Sequence, residues 1–151
     1  MANVRELCTR EVVVATRDTT VAAAAKLMRH HHVGTIVACD EPNRALRIPL
    51  GIVTDRDIVV AVVAPGLDAE TITVGDIMGR ELVTARETEG ILQALEIMRY
   101  KAVRRLPIVR EDGHLVGIVS IDDLLGVLAE ELGDVAKIVV REQDREAVTR
   151  T

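Results

Sequence analysis

Aromatic residues are almost missing from this 151-residue chain, which has no Trp, no Phe and the single Tyr100. Its core must be filled by Val, Ile, Leu, Ala and Met, and the stacking platforms on which single-stranded nucleic acid lies are excluded. A basic surplus is lacking too. The formal net charge is −5 and the sequence pI is near 5.4, the wrong sign for a binder of phosphate backbones. The only cysteines, Cys8 and Cys39, form neither a disulfide framework nor a C-x-x-C metal pair, so a reduced, cytoplasmic setting is the default expectation. Charges at Arg5, Glu6, Arg10 and Glu11 leave no apolar region for a signal peptide, and the longest apolar run, residues 58–64, is far too short to span a bilayer. Neither nucleic acid nor a membrane is an expected partner.

What is present is apolar and duplicated. Hydrophobic residues make up 48% of the chain, enough for one compact domain or two small halves sharing a core. A shift that lays Val4, Arg10, Glu11, Val13, Ala15, Ala24, Met28, Arg29 and Val33 onto Val74, Arg80, Glu81, Val83, Ala85, Ala94, Met98, Arg99 and Val103 exposes an internal repeat. The register then shortens, because the loop at residues 42–47 is longer than its counterpart at residues 111–114, and Gly51, Ile52 and Val53 align with Gly117, Ile118 and Val119.

Each copy reads as β-α-β-β-α. A lead-in strand is expected at residues 12–15 and 82–85. A helix follows, with Asp18 and Thr88 as the residues before it and with a core stripe of Val21, Ala24, Ala25 and Met28, matched by Ile91, Ala94, Leu95 and Met98. Strands are expected at residues 35–39 and 49–53, and at 106–109 and 115–119, with Asp112-Gly113 turning the second hairpin. Closing helices should run over residues 55–63, before Pro65-Gly66, and 121–131, before Gly133. The expected organisation is a first repeat over residues 1–68, a second over 69–133, and a charged helical tail over 134–151. Val135, Ile138 and Val139 in that tail call for a partner surface.

The phrases GIVTDRDI at residues 51–58 and GIVSIDDL at 117–124 close the strand of each copy and start its last helix. Thr54 with Asp57, and Ser120 with Asp123, have the spacing of a capping box, and local stability alone accounts for them. A second reading uses the strand before them. A Gly-led strand of small residues leaves space above the turn, where an ionised carboxylate can accept both vicinal hydroxyls of a ribose while helix N–H groups face an anion.

These phrases, the duplication and VRRLPIV at residues 103–109 together resemble a tandem pair of CBS domains, over about residues 4–132. The resemblance implies an α/β (α+β) fold in which two β-α-β-β-α repeats pack as a pseudo-twofold module with two clefts, commonly as a disc-shaped homodimer. It implies an adenosine-containing ligand with its ribose on Thr54, Asp57, Ser120 and Asp123. It also places phosphate contacts just ahead of the second strand of each repeat, where this chain has Arg104 and Arg105 in one copy and Gly34 and Thr35 in the other. The two clefts should therefore differ, one holding an anionic nucleotide more tightly, with Asp123 as the first substitution expected to weaken it. Arg56 is as well explained by the surface as by a ligand. No cofactor is required. The adenine nucleotide acts as a regulatory ligand of the AMP, ADP or ATP class, with NAD or S-adenosylmethionine as alternatives, and the regulated protein is not named by the sequence.

Other groups carry less. Three consecutive histidines, His30 to His32, point in different directions from a helix and cannot form one ligand face, and Met28 and Met98 belong to the core stripe. Asp122-Asp123 and Asp55-Arg56-Asp57 could be imagined on Mg²⁺, but no nucleophile and base accompany them. Three classes remain: a nucleotide-sensing regulatory module, which the residues favour; a ligand-free interaction protein whose Thr/Ser-x-x-Asp pairs only cap helices; and a nucleotide hydrolase.

Overall fold

The computed structural model describes residues 3–40 and 47–150. Of the longer first-hairpin loop expected at residues 42–47, only Arg47 lies within the described residues. The duplicated pattern folds as two like halves. The first contains β1 (Val14–Ala15), α2 (Val21–His31), β2 (Thr35–Cys39), β3 (Pro49–Thr54) and α3 (Asp55–Ile58); α1 (Val4–Leu7) precedes it. The second contains β4 (Ala85–Arg86), α5 (Ile91–Lys101), β5 (Arg105–Val109), β6 (Leu115–Ser120) and α6 (Ile121–Thr149), and α4 (Val74–Ile77) precedes it. In each half the short lead-in strand runs parallel to the next, which pairs antiparallel with the third, giving sheet orders β1-β2-β3 and β4-β5-β6. The two halves pack as a pseudo-twofold module.

Residue chemistry accounts for the elements. β2 is buried along four of its five residues: Ile36 and Ala38 face the helix side, while Val37 and Cys39, on the opposite face, are equally enclosed. A strand covered on both faces reads as a continuous apolar run, as TIVAC does. β3 and β6 alternate. Gly51 and Val53, like Gly117 and Val119, point into the core, and Ile52 with Thr54, like Ile118 with Ser120, point the other way.

Several sequence expectations are corrected. Asp18 and Thr88 do not precede the helices; both sit in turns, and the caps fall two residues later. Thr20 accepts the Ala23 N–H, and Gly90 donates its own N–H to Gln93 Oε1. Ala25 is exposed and Leu27 packs on the core instead, because the buried stripe of α2 follows Val21, Ala24 and Met28. The first closing helix widens into π geometry over Val59–Val63, with Ala64 N–H donating to Val59 O, and stops at Pro65, which has no N–H to give. The second does not stop before Gly133. One glycine costs a helix about 1 kcal/mol relative to alanine, and no proline follows to break it. The helix therefore runs on to Thr149, carrying exposed Leu125, Leu132, Val135 and Val139 along one side.

Helices α2 and α5 end alike, with His32 and Ala102 both at φ 54. Left-handed backbone costs a residue with a Cβ about 1–2 kcal/mol, partly offset by the greater unfolded freedom of glycine. His32→Gly and Ala102→Gly are each expected to raise unfolding free energy by about 0.5–1 kcal/mol in urea titrations. A decrease would show that the side chains contribute more than the strain removes.

The leading segments cross over. Val4 belongs to the core of the second half, beside Ala85, Ile91 and Leu106, and Thr9 exchanges two backbone hydrogen bonds with Ile118. Val74 belongs to the core of the first half, and its N–H donates to Thr19 O. The phrase glycines make room for this exchange. A Cβ on Gly117 would stand 2.6 Å from Cys8 Sγ and 2.7 Å from Thr9 O, and one on Gly51 would stand 2.8 Å from Met78 Sδ. Space above the turn is thus filled by the crossing segment at these glycines.

Candidate functional site

Both repeated phrases start their helices with a full capping box. Thr54 N–H donates to Asp57 Oδ2 at 2.8 Å and Asp57 N–H to Thr54 Oγ1 at 3.2 Å; the Ser120 and Asp123 pair repeats this at 2.9 and 3.2 Å. One carboxylate oxygen of each aspartate is therefore committed to the backbone. The other, Oδ1, makes no hydrogen bond among the described residues. A third box, Thr73 with Asp76, has the same geometry, at 2.9 and 3.3 Å, but lies outside both phrases.

The phrases differ from that third box in what they face. Thr54, Asp57 and Ile52 line a cleft of about 390 Å³ whose far wall is Val103, Arg104 and Arg105 of the other half. Ser120, Asp123 and Ile118 line a second, of about 250 Å³, opposite Val33, Gly34 and Thr35. The first falls in the usual small-molecule range of roughly 300–1,000 Å³ and the second just below it. A larger groove of about 460 Å³ runs along α5, lined by Glu89, Tyr100 and neighbours from a single segment, and holds neither phrase.

Each cleft is built crosswise. Arg104 stands with Asp57 of the other repeat, not with Asp123 of its own. Arg105 lines both clefts. Gly34, the counterpart of Arg104, sits beneath the Asp55 carboxylate, where a Cβ would come within 3.0 Å of Oδ2. The corresponding helix start in the second half carries Ile121, so position 104 is free to hold a long side chain. Neither Arg104 nor Arg105 is ion-paired among the described residues, and both guanidinium forks are open to an oxyanion.

Sequence reasoning missed the acidic members. Glu81 lines the first cleft, with Lys101 Nζ 2.6 Å from its Oε1, and Glu11 lines the second, with no ion pair among the described residues. Their alignment in the repeat was the available signal; the crossing of the lead-in segments, which carries them to the clefts, was not visible. Arg56 is exposed and lines neither cleft, and its backbone N–H donates to Asp55 Oδ1. His30 and His31 are exposed and stack edge to face at 4.9 Å, and no metal-holding cluster of His, Cys, Asp or Glu exists among the described residues. Burial pushes the Cys8 and Cys39 thiols above their ordinary range, away from nucleophilic thiolate. No helix among the described residues is long and apolar enough to cross a membrane.

Comparison with known proteins also finds two repeats. The CBS domain family model matches twice, over residues 4–64 and 74–130. An uncharacterized protein of Methanopyrus kandleri is 35% identical over 125 residues, 83% of this chain but only 62% of that longer protein, so this chain spans less than two thirds of it. Hypoxic response protein 1 of Mycobacterium tuberculosis is 33% identical over 130 residues, 86% of this chain and 87% of its own. The crystal structure of Hypoxic Response Protein I, with two coordinated zinc ions, superposes with a TM-score of 0.70 over 82% of this chain and 97% of that one, at 32% identity. A protein from Pyrobaculum aerophilum complexed with AMP superposes with a TM-score of 0.73 over 85% of this chain and 99% of that one, at 29% identity.

Proposed function

Because this chain belongs to the CBS domain family, we propose that it is a regulatory module that binds adenine nucleotides of the AMP, ADP or ATP class in the two clefts between its repeats. The observation that carries this reading is the spare oxygen. Asp57 and Asp123 each cap a helix with Oδ2 and keep Oδ1 unbonded at a cleft wall, which suits a carboxylate that also accepts ribose hydroxyls. Thr54 and Ser120 hold those carboxylates in place, and Arg104 with Arg105 offers the phosphate a pair of forks in the first cleft. Between these polar groups each cleft has an aliphatic stretch, Ile52, Leu82, Val83 and Val103 in the first and Val12, Val13, Val33 and Ile118 in the second, which suits adenine in a chain with one Tyr and no Phe or Trp. The AMP complex of the Pyrobaculum relative supports an adenosine ligand here.

In this reading the ligand signals by shifting the arrangement of the halves or of two protomers, in a reducing cytoplasm, and the module itself is not an enzyme. A homodimer has apolar surface available: Val59, Val60 and Val63 are more than half exposed on one helix, and Leu125, Leu132 and Val135 on another. Ligand coupling to such a change is bounded by its differential affinity, about 1–3 kcal/mol.

Thermal unfolding against AMP, ADP, ATP, NAD, S-adenosylmethionine and a guanosine control tests the proposal. A ligand at a hundred times its Kd adds about 2.7 kcal/mol, or roughly 5–10 °C for a chain of this size. Adenine nucleotides are expected to raise the midpoint and guanosine to leave it. No shift with any adenosine compound at millimolar concentration would leave the boxes as caps only.

A further inference from the structure

Arg105 opens β5 opposite Ser120 and contributes to the walls of both clefts. Its counterpart in the first repeat is Thr35, which lines only the second cleft and brings no charge. The first cleft has a cation of its own in Arg104. The second has Gly34 at that position, a smaller volume, and two carboxylates, Glu11 and Asp123, against the one shared guanidinium. A guanidinium turned to phosphate oxygens in one cleft is withdrawn from the other, and the second cleft then has no cation left to set against its Glu11 and Asp123 carboxylates when an anion enters.

Resting on the nucleotide-binding reading above, we infer that the two clefts compete for Arg105. A phosphorylated nucleoside in the first cleft opposes phosphate in the second and leaves it for an adenosine-class ligand without phosphate. The loaded module is then mixed, with one anionic and one uncharged ligand. The coupling is thermodynamic and reciprocal, so it is measurable from either side.

Isothermal titration with AMP and with adenosine tests this on the wild-type chain, Asp57→Ala and Arg105→Gln. Asp57→Ala weakens the first cleft, so that the second fills first with Arg105 still free. Its tighter AMP step is expected to be about tenfold tighter than the second AMP step of the wild type, within the usual range of such couplings. Adenosine should show no such difference, and Arg105→Gln should weaken the first AMP step while leaving the second unchanged. Equal AMP affinity in the second cleft, whether the first is filled or weakened, would overturn the inference, as would the same coupling with adenosine. Two AMP steps of wild-type affinity in Asp57→Ala, or no AMP bound by the wild type, would instead sink the site assignment and the inference with it. Asp57→Asn, which keeps an acceptor for the Thr54 N–H, replaces the alanine variant if that chain does not fold.

Discussion

Asp57→Ala and Asp76→Ala lose the same local bonds, but only the first is expected to lose the part of the AMP response that comes from the first cleft. Both aspartates complete a Thr-x-x-Asp box with hydrogen bonds within 0.1 Å of each other. Each variant should lose one hydrogen bond of its capping box and melt a few degrees lower. Asp76 lines neither cleft, so its variant keeps the full nucleotide-induced shift. Asp57→Ala removes a charged acceptor facing the cleft, where such hydrogen bonds are worth about 1.5–3 kcal/mol, so AMP affinity at that site should fall by roughly ten- to a hundredfold. Equal AMP shifts in both variants would show that the phrase aspartate does no more than cap. Thr73 and Asp76 thus provide a control built into the same chain.

Gly117→Ala should be the most destabilising single methyl that can be added to either phrase. The new Cβ meets a backbone oxygen, Thr9 O at 2.7 Å, as well as Cys8 Sγ at 2.6 Å, and a backbone atom cannot swing aside. Overpacking of this kind costs about 1–3 kcal/mol, and the upper end is expected here because the Thr9 to Ile118 bridge must part as well. Gly51→Ala meets only the Met78 side chain, with Sδ nearest at 2.8 Å, and a thioether repacks readily, so its cost should be about 1 kcal/mol or less. Urea unfolding of the two variants measures the contrast. Cys8→Ala should relieve Gly117→Ala only in part, because the carbonyl stays in place. Equal costs in the two phrases would mean that the leading segments are looser than their contacts indicate.

Much of this was readable from residue order, and the failures share a cause. The strands at residues 35–39 and 49–53, the Asp112-Gly113 turn and both phrase boxes depend on neighbours within a few positions, and they form where their chemistry puts them. Gly133 misled because a helix tolerates one glycine when nothing after it forbids continuation. The pairing of Arg104 with Asp57, and the demand on Gly51 and Gly117 for absent side chains, come from contacts between segments far apart in the chain. Local periodicity holds no record of such contacts. The doubling of Glu11 as Glu81 was the one long-range clue in plain view, and its meaning depended on knowing where residues 9–13 and 79–83 travel.

That crossing has a consequence for how the polypeptide comes into being. As the nascent chain leaves the ribosome, the first half lacks Val74, Ile77 and Met78 until the linker has been synthesised, while Val4 and Cys8 wait for a sheet whose last strand is made near the end. Neither copy of the ancestral unit is a self-sufficient building block. Gene duplication here produced two interlocked pieces, each holding the other's missing edge, and loss of either would strand both.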